Sequence, residues 1–361
     1  MMPFRLVPRL VASPTMQVVA PLVAIALTLV VGLAVFATLG QDPLRAFRAF
    51  FIDPIADLNG ISELLLKASP LCLIALGLSI GYRANIWNIG AEGQMYIGGV
   101  FATGLAIHFQ ESWGAAMLPA MLLAGALGGA AWASITALLR AQFNTNEILV
   151  SLMLTYVADL IVKYLVYGPW QDPSANSFPI TVSFNDDALF PLFASFIEPL
   201  EGTRLNFSIL VTLVAIPLAW VFMTRTFVGF QLNVAGLAPR AASYAGYSAR
   251  RAIWIVLLIG GAAAGLAGVG EIAGPIGQLN DRWTPGYGFT AIIVAALGRF
   301  HPIGIALAAL LMALLVLGGE AVQISMQLPK AISLVFQGLL LMFLLGCDVL
   351  VKYRVARRAI A

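Results

Sequence analysis

A succession of long apolar stretches, each nearly free of charge, limits what this chain can fold into more than any other feature. They fall at roughly 16–39, 63–82, 88–107, 114–139, 147–167, 207–224, 252–274, 287–300, 302–320 and 330–350. A helix needs about 20 predominantly apolar residues to cross a bilayer. Most of the stretches reach that length. The piece at 287–300 is short and reads as a half-helix or re-entrant segment. Only 10% of the 361 residues are charged, where a soluble domain carries roughly 25%. Continuous apolar runs, without ten-residue alternation, argue for helices over a transmembrane barrel. The expected fold class is an all-α integral membrane protein of about ten transmembrane helices, some of them broken or re-entrant.

Lys and Arg set the orientation. An N-terminus on the cytoplasmic side puts Arg5, Arg9, Arg83, Arg140, Arg225, Arg240, Arg250 and Arg251 on that side, with the tail VKYRVARR. The opposite loops are then acidic, with Asp42, Asp53, Asp57, Asp172, Asp186 and Asp187. The first stretch exceeds the roughly 7–15 residues of a signal-peptide core and reads as a retained span. The chain forms one membrane domain over 1–361. It has an inner N-terminus at 1–15, an outer loop at 168–206, an inner loop at 225–251 and a basic inner tail at 351–361. A short surface helix is expected in the outer loop. Gly77/Gly81, Gly125/Gly129 and Gly261/Gly265 recur at four-residue spacing, which lets helices approach closely in lipid.

One polar stretch breaks this pattern: GYRANIWNIGAEGQMYIGG, from Gly81 to Gly99. At membrane depth, irregular backbone survives only when buried in protein or lining a wet cavity. An ionisable residue there is a functional candidate by default. Asn85, Trp87, Asn88, Glu92 and Gln94 are therefore the candidate solute-pathway residues. Amides that donate and accept suit a neutral polyhydroxy ligand. Glu92 has two readings, a lining group of a polar path or a structural cap at a helix N-terminus. A second Gly-rich interruption, Asp281 to Gly304, bears a loose likeness to the first. Paired interruptions in two halves point to a transport site.

Two further blocks carry polar residues. In FNTNEILVSLMLTYVADLIVKY, Asn146 and Glu147 form an expected inner-face helix cap, and Asp159 and Lys163 sit four apart on one face. In the inner loop, GLAPRAASYAGYSARR places Arg240 to Ala245 in about two turns of small helix between glycines. That turn is either interfacial or a docking helix for a cytoplasmic partner. Each of the four lysines follows Leu, Val or Pro, so no Gly-Lys phosphate cradle exists. His108 and His301 lie far apart, and no hydrolase or metal motif accompanies them. A net charge of +3 gives no sign of a nucleic-acid partner.

IGYRANIWNIGAEGQMYIGG resembles the signature region of permease subunits of ABC importers for nucleosides and simple sugars, within the branched-chain amino-acid/ribose-type permease superfamily. TNEILVSLMLTYVA is similar to that group's TNE block, with Thr155 where Asn is usual. GLAPRAASYAGYSARR looks like its cytoplasmic coupling loop, and GYGFTAIIVAALGRFHPIG like its C-terminal block. The resemblance covers roughly 60–350. It implies a type II importer-like permease in a bacterial inner membrane, with both termini cytoplasmic and 168–206 periplasmic. It implies a second permease subunit in a heterodimer, a cytoplasmic ABC ATPase that holds ATP and Mg, and an extracytoplasmic solute-binding protein. No cofactor is expected on this chain. Gly236, Pro239, Arg240, Ala241, Tyr244 and Gly246 become the expected ATPase-docking residues. The expected function is ATP-driven import of nucleosides or related small polar solutes by alternating access. The alternatives are an ion-coupled secondary transporter using Glu92 and an intramembrane enzyme.

Overall fold

The computed structural model describes residues 4–8, 14–329 and 331–357. Parts of the N-terminal stretch and of the basic tail, including Arg9 and Arg358, lie outside the described residues, as does Lys330. In chain order the elements are β1 (Phe4–Pro8), α1 (Pro14–Thr38), α2 (Pro43–Phe51), α3 (Leu58–Arg83), α4 (Ala91–Trp113), α5 (Met117–Phe143) and α6 (Glu147–Val166). There follow α7 (Ser208–Arg225), α8 (Phe227–Leu237), α9 (Pro239–Tyr244), α10 (Ala249–Glu271), α11 (Tyr287–Leu297), α12 (Pro302–Met326), α13 (Ile332–Lys352) and β2 (Tyr353–Arg357). Among the described residues, eight helices are long and apolar enough to cross a membrane. The helix α4 is long enough but carries Glu92, Gln94 and several glycines. The helix α11 has 11 residues, the short segment read from the sequence.

The chain divides into two compact units. The smaller comprises 1–57 and 314–361. In it α1 packs on α13 through a ring cluster: Phe36 lies 5.5 Å from Phe336, and Phe50 stacks on Phe336 at 4.7 Å. Asp42 starts α2 by accepting the backbone N–H groups of Leu44 and Arg45. β1 and β2 pair antiparallel, Phe4 opposite Arg357 and Pro8 opposite Tyr353, so the two ends of the described chain meet.

The larger unit, 58–313, is built around α3. Of its most apolar stretch 83% is buried, against 22% for α6 and for α7. Helices α4, α5 and α10 meet through glycines. A Cβ added at Gly129 would sit 2.9 Å from Gly265 Cα, and one at Gly125 would sit 3.2 Å from the Gly265 carbonyl. Backbones this close gain dispersion contacts over a long stripe, which drives association where lipid removes the hydrophobic effect. The segment 167–207 carries three single 3₁₀ turns, at Asp186–Ala188, Phe193–Ser195 and Glu198–Leu200. It lies along 273–280, with Thr181 and Phe184 donating to the carbonyls of Leu279 and Gly277.

Candidate functional site

Helix α3 ends where Asn85 adopts a left-handed backbone, φ 57°. Ile86 N–H donates to the Gly81 carbonyl at 3.0 Å and Asn85 N–H to that of Tyr82 at 3.1 Å. This paired closure satisfies carbonyls that a helix end leaves open. Asn tolerates the left-handed region better than most residues. Beyond it 86–89 are neither helix nor strand, and burial alternates. Asn85 and Trp87 face outward; Ala84, Ile86, Asn88 and Gly90 face inward.

The inward residues form a closed junction. Asn88 Nδ2 donates to Gln94 Oε1 at 2.8 Å, and Gln94 Nε2 returns a bond to Asn88 Oδ1 at 3.0 Å. Gly90 N–H also donates to Asn88 Oδ1. Both amides are buried and partnered by each other. Gly90 and Gly93 let α4 lie on α6: a Cβ at Gly90 would sit 2.8 Å from Ser151 Cβ, and one at Gly93 would sit 2.7 Å from Thr155 Cα. Ser151 Oγ in turn accepts the Ile89 N–H.

Glu92 lies in the first turn of α4, with 1% of its surface exposed. Its two oxygens accept from Gly288 N–H and from the Thr284 hydroxyl, at the start of α11. Two helix N-termini thus converge on one carboxylate, which offsets the partial positive charge of both. The approach is tight, since a Cβ at Gly288 would sit 2.6 Å from Glu92 Cα. The two Gly-rich interruptions of the sequence meet at this point. The far end of α11 is unusual too. Arg299 and Phe300 are both left-handed, φ 56° and 54°. Such residues cost about 1–3 kcal/mol each unless their surroundings hold them.

On α6 the Asp159 and Lys163 pair expected from the sequence is joined by two exposed tyrosines that the sequence did not single out. Tyr156 is 59% exposed near the middle of a 20-residue span, and Tyr164 is exposed further along. Lys163 pairs with Asp159 at 2.7 Å, and both remain partly exposed. Aliphatic residues are exposed on both helices, Leu149, Met153 and Leu160 on α6 and Leu210, Leu213, Val214 and Leu218 on α7, but of the two only α6 adds exposed tyrosines. A phenol open at mid-span, with a partly exposed ion pair toward the C-terminal end of the helix, favours a wet or protein-covered surface. The available signal was two tyrosines and an ion pair within one helical run of otherwise aliphatic residues. A hollow of about 510 Å³ between α3, α7 and α10 has an almost wholly apolar wall and offers a polar solute little to bind.

On the inner loop, α9 is a six-residue helix. Pro239, Arg240, Ala241 and Tyr244 are exposed, Tyr244 almost fully, while Ala242 is buried beneath them. Gly246 turns the chain with φ 79°. Gly236 does not share that surface. It packs against the Arg83 carbonyl, and a Cβ there would sit 3.0 Å from the Ala84 carbonyl carbon. Asn146 is the N-cap of α6, accepting Ile148 N–H at 2.9 Å, and Glu147 pairs with Arg140 at 3.3 Å.

Comparison with known proteins gives a consistent picture. Residues 60–345 match the family model described as branched-chain amino acid transport system / permease component. The glucose ABC transporter permease protein TsgB13 of Haloferax volcanii is 36% identical over 98% of this chain and 92% of its own length. The guanosine ABC transporter permease protein NupP of Bacillus subtilis is 29% identical over 91% of this chain and 92% of its own. The nucleoside ABC transporter permease protein NupB of Lactococcus lactis is 28% identical over 85% of each.

Proposed function

This chain belongs to the branched-chain amino acid transport system / permease component family, and from that membership we propose that it is the membrane-spanning subunit of an ATP-driven importer of nucleosides or related small polar solutes. The family description names amino acids, while the relatives are named for glucose, guanosine and nucleosides. A furanose or pyranose ring is what those three solutes share. Neutral hydroxyl-rich rings suit amides, phenols and indoles. The observation that carries the reading is the polar set on α6: Tyr156 open at mid-span, with Asp159, Lys163 and Tyr164 in the C-terminal half of the helix. Asn85 and Trp87 extend it toward the inner end of α3. Asn88, Glu92 and Gln94, buried and hydrogen-bonded within the protein, shape the wall behind that path.

The motor is a separate cytoplasmic ATPase holding ATP and Mg, docked on Arg240, Ala241 and Tyr244 of α9. A second permease subunit covers the α6 face, and an extracytoplasmic binding protein delivers solute over the 168–206 side. The membrane is a bacterial inner membrane with both termini inside. The pairing of β1 with β2, which keeps the two ends together, supports that arrangement. Ligands and ATP move such a bundle only through their different affinities for its two states.

Reconstitution tests this. Proteoliposomes holding this chain, the second permease and the ATPase, supplied with the binding protein, are expected to take up labelled guanosine or glucose only with ATP inside. Uptake by this chain alone, driven by a proton or sodium gradient, would overturn the reading.

A further inference from the structure

The inner end of α3 is gripped from several sides. Arg83 Nη2 donates to the Phe300 carbonyl at 2.9 Å. The Tyr82 ring packs edge-on to Phe300 at 5.5 Å and against Trp87 at 4.5 Å. Gly236, in the last turn of α8, rests on the Arg83 carbonyl. One residue, Ala238, separates α8 from α9. The same node therefore touches the docking segment, the break before α4 and the C-terminal end of α11.

Helix α11 is a rod of 11 residues, about 16 Å long. Left-handed backbone flanks it at both ends: Gly286, φ 90°, before it, and Arg299 and Phe300 after it. Such positions are where a chain absorbs large dihedral changes. Glu92 holds the first end and Arg83 the second.

We infer that Arg83 is a positioning residue of the transport cycle: it carries movement of the docking helix α9, received through Gly236, to α11, which rocks between its two left-handed hinges and changes access to the 284–286 segment beside Glu92. The inference rests on the docking reading of α9.

A thiol-accessibility experiment on the complete importer tests it. The two native cysteines, Cys72 and Cys347, are both buried, so background labelling is low. Pro285→Cys, at an exposed position, reports on the hinge; Phe289→Cys, also exposed, is the second reporter if the first loses uptake. Tyr244→Cys reports on docking. Each is treated with a membrane-impermeant methanethiosulfonate, nucleotide-free and with ATP plus vanadate. The ATPase is expected to shield Tyr244→Cys, and the hinge reporter to change its rate by about tenfold between the two states. Arg83→Met should abolish that change while the ATPase still co-purifies and hydrolyses ATP. Arg83→Lys, which keeps a cationic donor, should restore much of it. A nucleotide-dependent change that persists in Arg83→Met overturns the role of Arg83. A hinge reporter blind to nucleotide while Tyr244→Cys is shielded overturns the movement of α11. An unshielded Tyr244→Cys overturns the docking reading itself.

Discussion

Asn85 closes α3 with a left-handed backbone and also presents its amide outward, where Trp87 Nε1 donates to it at 3.2 Å. The two roles separate by substitution. Glycine accepts the left-handed backbone, whereas valine resists it by about 1–2 kcal/mol. Asn85→Gly is expected to leave the melting temperature in detergent nearly unchanged, and Asn85→Val to lower it. A raised KM for uptake in Asn85→Gly would then report solute contact free of any folding effect. Glu92→Gln behaves differently. An amide has one acceptor oxygen for the two donors, Thr284 and Gly288, and turns an N–H toward the other. A loss of about 1–3 kcal/mol follows from a buried donor left unpaired. Thermal unfolding of Glu92→Gln is thus expected at a lower temperature than wild type, ahead of any change in solute affinity. In the sequence, Asn88 and Gln94 stood out as polar residues in a greasy setting. That they face each other was not legible. It depends on the non-helical course of 86–89, along which burial alternates.

Helix-scale features were more legible, because apolar length and turn residues act locally. The spans around α3, α5, α6, α7 and α10 and the short α11 follow from apolar runs and their polar ends. The start of α4 moved from 88 to Ala91, because Asn88 bonds to Gln94 and to Gly90 N–H in place of joining the helix. The pairing of α4 with α11 through Glu92 was beyond reach, since Thr284 and Gly288 lie 192 and 196 positions away in sequence. Glycine spacing did point to close packing, and its partners are now specific. Gly265→Leu drives a side chain into the Gly125 carbonyl and to within 3.2 Å of Gly129 Cα. Overpacking costs about 1–3 kcal/mol where neighbours can shift, and backbone shifts poorly. Reduced yield of folded protein by size-exclusion chromatography is the expected outcome. On the docking helix, Arg240→Glu combined with Tyr244→Ala leaves folding intact, since both side chains are exposed. Co-purification of the ATPase is expected to fall sharply in that variant.

At the scale of the whole chain, fold class and family were readable because membrane solvation restricts a polypeptide to few architectures. The solute was not, because on the proposed reading the polar residues of α6 form only part of a path that a partner completes. The division into two units was also unreadable, since the smaller one joins 1–57 to 314–361. The carboxylate shared by two helices has a consequence for biosynthesis. Glu92 leaves the ribosome 196 residues before Gly288. At about 5–20 residues per second, the acid waits roughly 10–40 s for its donors. During that interval the head of α4 has to stay near water or a chaperoning surface. Ala91→Cys in nascent chains arrested before Asp281 is expected to react with maleimide, and to become inert once residue 300 has cleared the insertion machinery. The helix made among the first is completed among the last, and the assembly of this permease is in that sense timed by a single acid.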